Sequence, residues 1–234
     1  MLGRYSSAIR AACANERSCG SVRGAISNGR PYRDQQQSVS DRMRDGMIAG
    51  QTSLFAIESE ITRAFEKPSW RGLGFFVIHI MGRCYGIKSP GNTMLACSFD
   101  EVGRRISGRG RHTAPFAEAA AADIANAYTT AIYLDHGDND IKYFGMSEAR
   151  FTEVVNSSGL VWAPDGDEAF DDGSYVLQFD VGDRVRLIAF NRPDWLVDAA
   201  TLREAWLAAD SFYDILRQWR GRFMAEWESL PKHS

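Results

Sequence analysis

Residues 175–190, YVLQFDVGDRVRLIAF, are the stretch that decides how this chain folds. Two runs rich in β-branched and aromatic residues, Tyr175–Val181 and Arg184–Phe190, are separated by Gly182 and Asp183. A glycine in the first position of a two-residue loop fits a type II′ turn, whose twist matches that of paired antiparallel strands. The sequence therefore predicts a β-hairpin here.

Further strands are predicted on the N-terminal side of the hairpin. Leu54–Ile61 alternates between apolar and polar residues, which is typical of a half-buried strand with Glu58 and Glu60 on its solvent face. Gly74–Met81 is almost continuously hydrophobic, as in a central strand. Shorter strands are predicted over Arg83–Ile87 and Thr93–Cys97.

Two substantial helices are predicted beside these strands, with a shorter one over Asp100–Ile106. The first begins at a Thr113 cap, with Pro115 in its first turn, and continues to about Leu134. The last covers about Asp210–Glu228 and carries an apolar stripe that is expected to dock on a sheet. This stripe consists of Phe212, Leu216, Trp219, Phe223 and Trp227. The sequence thus predicts an α+β fold, a mostly antiparallel sheet with two substantial helices packed on it.

The first 46 residues differ in composition from the rest of the chain. They contain eight arginines and four acidic residues, and are rich in Ser, Gly, Asn and Gln. Such a segment buries too little apolar surface to offset the entropy lost on ordering. We therefore expect residues 1–46 to be a disordered polar extension and residues 47–234 to form one domain. An organelle transit peptide has a similar composition, and a start codon assigned too early, with Met47 as the genuine start, would give the same pattern.

The charge balance narrows the classes of partner. Residues 47–234 carry 19 basic and 26 acidic side chains, a balance of −7. An acidic body is a poor nucleic-acid binder, because phosphate contacts need a basic surface, but it suits a basic protein. No apolar run reaches the ~18 residues of a membrane span, and the N-terminus has no apolar core of a secretory signal. A cytoplasmic location is therefore expected.

Known catalytic motifs give no match. The chain has no nucleophile elbow, P-loop, zincin motif or dinucleotide fingerprint. Cys84 and Cys97 lie in apolar runs and are expected to be buried thiols, whereas Cys13 and Cys19 lie in the polar segment. His112 follows two arginines before a predicted helix, where an anion could bind, although a loop packed by polar contacts explains the same residues. No cofactor is predicted.

The most unusual feature is the acidic segment that precedes the hairpin. Between Asp165 and Asp183 there are seven acidic residues and no basic one. Its candidate binding residues are Asp165, Asp167, Glu168, Asp171 and Asp172. Clustered like charges repel unless a cation or a basic partner relieves them. Three interpretations stay open: a solvated loop whose aspartates cap turns, a protein-binding surface, and a metal site. The EF-hand spacing of a calcium loop is not met, because its sixth and twelfth positions lack Gly and Glu.

Four strings give the chain a resemblance to a known family. They are FAIESE (55–60), LACSF (95–99), WAPDGDEAFDDGS (162–174) and RLIAF (186–190). In combination they resemble the Immunity protein 42 family of bacterial polymorphic-toxin systems, over about Met47–Lys232. The resemblance implies a small cytosolic protein that binds and neutralises a cognate toxin domain, such as one delivered by contact-dependent inhibition. It implies no catalytic residues, and it does not identify the contact surface.

The acidic charge adds an expectation about the toxin. Many nuclease toxins are cationic because their substrates are polyanions, so an acidic inhibitor suits a basic nuclease. Two other classes stay open: an enzyme that uses acidic-loop carboxylates with His112, and a structural or regulatory adaptor. A neighbouring gene for a large secreted protein with a toxic C-terminus would favour immunity, whereas a metabolic operon would favour an enzyme.

Overall fold

The predicted hairpin forms the centre of a four-stranded antiparallel sheet. In the computed structural model, which describes residues 46–67, 69–134, 141–163, 167–193 and 196–233, β9 (Ser174–Val181) pairs with β10 (Arg184–Asn191). Val181 is opposite Arg184, and Gly182 has a φ of +58°, so the two-residue loop is confirmed. β8 (Val161–Ala163) and β11 (Arg203–Ala208) complete the sheet in the order β11-β10-β9-β8. We call it the second sheet.

The first sheet is built from the N-terminal strands, and the last strand of the chain adds to one of its edges. Its order is β1-β2-β3-β4, with β5 also pairing β3 and β12 pairing β2 in parallel. The strands are β1 (Met47–Gln51), β2 (Phe55–Phe65), β3 (Gly72–Ile80), β4 (Arg83–Tyr85), β5 (Thr93–Met94) and β12 (Lys232–His233). A separate two-stranded ribbon consists of β6 (Lys142–Tyr143) and β7 (Met146–Ser147).

Within the described residues four helices pack on these sheets: the two substantial ones expected, the one expected as a shorter helix over Asp100–Ile106, and one further helix. They are α1 (Leu95–Ser107), α2 (Ala121–Tyr133), α3 (Glu148–Ser157) and α4 (Ala209–Ser229). The α+β class with antiparallel sheets is confirmed, and so is the last helix. None of the described helices has the length and apolarity that a membrane span requires.

Two hydrophobic cores share the second sheet. Val185 and Leu187 of β10 face the first core, which lies between the two sheets and includes α1 and α4. Ile188 and Phe190 face the second core, which α2 and α3 cover. Because successive residues of a strand point to opposite faces, one strand supplies both cores. The apolar stripe of α4 lies in the first core, and four of its residues are buried: Phe212, Leu216, Trp219 and Phe223. The predicted docking face is therefore confirmed.

Two predicted element boundaries are wrong for identifiable reasons. The first long helix starts at Ala121 rather than near Thr113, because the preceding turns are held by a buried side chain of β10: Arg186 Nη1 donates to the Ala117 and Ala119 carbonyls, each at 2.7 Å. The predicted strand Thr93–Cys97 ends at Met94. Helix α1 begins there, since its apolar residues recur at helical spacing and reach the core.

Burial corrects two further expectations. Cys84 is exposed, because β4 is a short strand at the edge of the first sheet, and Cys97 is half-buried. Glu58, expected in solvent, is 4% exposed. It accepts a hydrogen bond from His79 Nε2 (2.8 Å) and forms an ion pair with Lys88 (2.7 Å). Burial raises the pKa of Glu58, but the two hydrogen bonds outweigh burial and hold the pKa below its ordinary value.

Candidate functional site

The acidic segment forms a compact turn that its apolar residues anchor. Residues 168–170 form a single 3₁₀ turn, and we call Asp167–Asp172 the acidic turn. Phe170 is buried against Phe76, with ring centroids 6.2 Å apart, and the Ala169 carbonyl accepts a hydrogen bond from the Ile87 N–H at 2.8 Å. The backbone of the turn is therefore fixed to the first core. Asp165 lies outside the described residues, so its part in the site stays a prediction.

Asp167 caps the turn from a half-buried position. Its Oδ1 accepts a hydrogen bond from the Ala169 N–H at 3.0 Å. Burial raises the pKa of Asp167 to about 6, against the hydrogen bond from Ala169, and the nearby Glu101 and Glu168 carboxylates add to the increase. The side chain is thus a structural cap that carries a destabilised charge at neutral pH.

This raised pKa predicts a specific dependence of stability on pH. An acid with a higher pKa in the folded state binds more protons when folded, so stability falls as the pH rises from about 4 to about 6. Asp167→Asn keeps the capping oxygen and removes the charge. We expect the variant to be more stable than the wild type by about 2 kcal/mol at pH 7, with the difference vanishing near pH 4. Urea denaturation at pH 4, 5.5 and 7 measures this, and an equal difference at all three values would contradict it.

Asp172 is exposed but has a structural role. Its Oδ1 accepts from the Ser174 N–H at 3.0 Å and its Oδ2 from the Ser174 hydroxyl at 2.9 Å. The buried Ser174 Oγ in turn accepts from the Gly86 N–H (3.1 Å) and from Asn191 Nδ2 (2.9 Å). Asp172 therefore orients a hydroxyl that joins β9 to the chain after β4 and to the end of β10. This matches the interpretation in which aspartates cap turns.

Glu168 and Asp171 differ from their neighbours. Both are exposed, and across the part of the chain that the structure describes neither carboxylate has a hydrogen bond or an ion pair. The Glu168 backbone is held, since its carbonyl accepts a hydrogen bond from Asn92 Nδ2 at 2.9 Å. The acidic turn thus divides into two capping aspartates, Asp167 and Asp172, and two carboxylates that are available to a partner.

The structure does not bring His112 to the acidic turn. The ring is 7% exposed, and its Nδ1 donates to the Ser158 (3.0 Å) and Gly159 (3.1 Å) carbonyls. Burial lowers the pKa of His112, and the Arg105 charge lowers it further. Its other nitrogen faces Gly108, whose Cβ, if present, would lie 3.0 Å from it. The His112 ring is therefore packed between the loops at Gly108 and Gly159. This agrees with the interpretation that polar contacts hold a loop here.

A buried ion pair close to His112, between Arg105 and Glu101, was not expected from the sequence. Arg105, whose side chain is 2% exposed, donates to Glu101 (2.7 Å) and to the Gly159 carbonyl (2.7 Å), and also to the Val161 carbonyl. The spacing of four residues in a helix was its signal, but arginines at such positions are usually solvated. Within the described ranges, no three His, Cys, Asp or Glu side chains are grouped as ligands of a metal ion.

Comparisons with known proteins give one family match and one structural likeness. No curated protein matches the chain. The crystal structure of CdiI from Burkholderia dolosa AUO158 is similar to it, with 15% sequence identity, a TM-score of 0.48, and coverage of 75% of this chain and 99% of that chain. The family model "Immunity protein 42" matches residues 47–222, about three quarters of the chain. On this match, the chain belongs to the Immunity protein 42 family.

Proposed function

We propose that this chain neutralises a cognate toxin domain of a contact-dependent inhibition system by binding it in the cytoplasm, without catalysis. Membership of an immunity protein family carries this proposal. We further propose that the toxin is a basic nuclease and that the acidic turn contributes to its binding surface.

Charge supports the choice of a basic partner. The balance of −7 over residues 47–234 gives the body a negative field that attracts a cationic domain before contact. Such steering raises the association rate, which matters when a toxin must be captured before it acts. It also makes association sensitive to salt, because exposed charges are screened beyond about 8 Å at physiological ionic strength.

The geometry of the turn supports a contact surface within that field. Glu168 and Asp171 are exposed on a backbone that Asn92 and the buried Phe170 hold in place. Charges on a preorganised backbone lose little conformational entropy when they pair with a partner's arginine or lysine. Asp172 is committed to Ser174, so we expect it to contribute through its charge rather than through a direct bond.

Exchanging the two available carboxylates for amides should slow capture of the toxin. We expect Glu168→Gln with Asp171→Asn to reduce the association rate on the order of 3–10-fold at low salt and to flatten its salt dependence. Melting should not change, because neither side chain holds the fold. Surface plasmon resonance over a salt series, beside a melting curve, measures both. The matched control is Glu118→Gln with Asp123→Asn, two exposed residues on the α2 side with the same change in charge.

The two variants together decide whether the acidic turn is the surface. If both slow association equally, only the net charge matters and the turn is not the contact. If the acidic-turn variant leaves association and dissociation unchanged while its melting temperature falls, the turn is structural. Binding itself is tested by co-purification with the toxin domain encoded by the adjacent gene. Equimolar immunity protein should then abolish cleavage of nucleic acid by that domain, and a toxin without nuclease activity would contradict only the finer proposal.

A further inference from the structure

Two arginines stack on one phenylalanine where α1 meets α4. Arg71, from the connection between β2 and β3, has its Cζ atom 4.1 Å from the ring centroid of Phe99. Arg220, from α4, has its Cζ atom 4.3 Å from the same centroid. The Phe99 ring is buried, whereas both arginines are half-buried, so their guanidinium groups lie close together at the surface of the first core.

The backbone at Arg71 has a conformation that residues other than glycine rarely adopt. Its φ is +52°, in the left-handed region, which costs conformational energy when a Cβ is present. Hydrogen bonds hold this conformation, because the Arg71 carbonyl accepts from Trp227 Nε1 at 2.6 Å and from the Phe65 N–H at 2.8 Å. The strained residue is the one whose guanidinium lies on Phe99.

A glycine inside α1 leaves room for the second arginine. A Cβ on Gly103 would lie 3.1 Å from Cζ of Arg220 and 3.3 Å from its Nη2. Glycine in the interior of a helix is less favourable than alanine. Helix α1 is therefore weakened at the position where the Arg220 guanidinium lies against it, as the chain is strained at Arg71.

The surrounding acids compensate little of this positive charge. Across the described part of the chain, Arg220 has no hydrogen bond and no ion pair, and its Nε is buried without a partner. Arg71 lies 3.5 Å from Asp100, whose side chain is 54% exposed, and donates weakly to the Met224 sulfur at 3.7 Å. Glu101, the next acid of α1, already pairs with two other arginines of that helix.

We propose that Arg220 and Arg71 form a binding site for a carboxylate, which a partner protein supplies from an Asp or Glu side chain. A guanidinium matches a carboxylate with two parallel N–H···O bonds, and stacking on Phe99 fixes its plane in advance. A bound carboxylate also relieves the repulsion between the two guanidinium groups. The acidic balance of residues 47–234 opposes a nucleic acid here, but it attracts a basic domain that carries one such carboxylate.

The identity of the partner rests on the proposed function, whereas the carboxylate site itself does not. The acidic turn and the arginine pair both adjoin α1, since the Glu101 carboxylate acts on Asp167 and Phe99 belongs to the same helix. A toxin domain that is basic overall would then meet charges of both signs. Mixed charges fix the orientation of a partner and reject wrong partners more strongly than a single sign of charge does.

Thermal melting with a small dicarboxylate tests the site without a toxin. The probe is succinate, compared with sodium chloride at equal ionic strength. At about ten times its dissociation constant, succinate should raise the melting temperature of the full chain by about 3 °C. Arg220→Gln should lose this increase. The matched control is Arg217→Gln, an exposed arginine of α4 that pairs with Asp214, and it should keep the increase. Equal increases in all three proteins would overturn the proposal.

Gly103→Ala separates binding from stability. The added methyl group takes the place of the Arg220 guanidinium, so the increase with succinate should disappear. The melting temperature without succinate should stay the same or rise, because alanine favours the helix. A Gly103→Ala variant that responds to succinate as the wild type does would overturn the role of this packing in the site.

Toxin binding tests the source of the carboxylate. Surface plasmon resonance with the toxin domain of the adjacent gene should show dissociation from Arg220→Gln about 10–100-fold faster than from the wild type. Arg217→Gln should change dissociation less than about twofold. Unchanged dissociation of Arg220→Gln, beside a lost succinate effect, would overturn the toxin as the partner. A wild-type chain that responds to succinate but binds no toxin would support the carboxylate site and contradict the proposed function.

Discussion

Replacing Arg105 with alanine is expected to lower the free energy of unfolding by about 3–5 kcal/mol. The guanidinium is enclosed by α1 and β8, where it pairs with Glu101 and donates to the Gly159 and Val161 carbonyls. Burial raises the pKa of Glu101, but Arg105 and Arg104 outweigh burial and hold the pKa below its ordinary value. Without Arg105, that carboxylate and two carbonyls lose their partner.

Arg104 offers a matched control for this variant. It pairs with the same carboxylate at the same 2.7 Å, but its side chain is 69% exposed. Arg104→Ala should therefore cost less than about 1 kcal/mol. Because a depressed carboxylate pKa stabilises the fold only above the unfolded pKa, the Arg105→Ala deficit should shrink as the pH falls below about 4. Urea denaturation of both variants at pH 7 and pH 3.5 measures these losses of unfolding free energy. Equal losses for the two variants at pH 7 would show that the burial of Arg105 adds nothing to stability.

Truncating Trp219 to alanine should have a comparable effect, about 3–5 kcal/mol. The indole is fully buried in the first core, with Phe76 edge-on at 5.2 Å and Phe223 at 5.3 Å. Its Nε1 donates to the buried Ser59 hydroxyl at 3.0 Å. The variant therefore leaves a cavity and also an unpartnered hydroxyl, which adds to the cost.

Trp70 provides the comparison for Trp219, because it is 40% exposed. Trp70→Ala should cost no more than about 1 kcal/mol, within the range for surface substitutions. Melting and toxin binding should be measured on the same preparations. If Trp219→Ala lost less than about 1 kcal/mol and no longer bound the toxin, the stripe of α4 would be an interface rather than a core element.

The parts of the fold predictable from the sequence are those that local periodicity determines. The hairpin of β9 and β10 and the last helix follow from alternation, a turn glycine and a 3.6-residue repeat. The sequence places the start of α2 about eight residues too early, because a side chain distant in sequence, Arg186, holds the preceding turns. The ion pair of Glu58 with Lys88 likewise joins a strand to a segment distant in sequence. Neither long-range contact has a local signal.

The composition of the acidic segment makes it the candidate site, but it does not predict how the segment is organised. A run of acids without basic residues marks the segment, yet the sequence treats Asp167, Glu168, Asp171 and Asp172 as equivalent. Their roles separate only when the turn folds, because a carboxylate becomes a cap by meeting N–H groups two residues away. The same applies to His112, whose isolated polar setting in the sequence contrasts with its burial against Gly159.

Because both cores use the second sheet, this sheet determines how the protein unfolds. β9 and β10 give alternate residues to the first core and to the second, so opening the ladder between these strands removes a wall from both cores. Unfolding of one core removes the wall of the other. We therefore expect the two cores to unfold together, and a partner that binds either side of the hairpin to stabilise both of them.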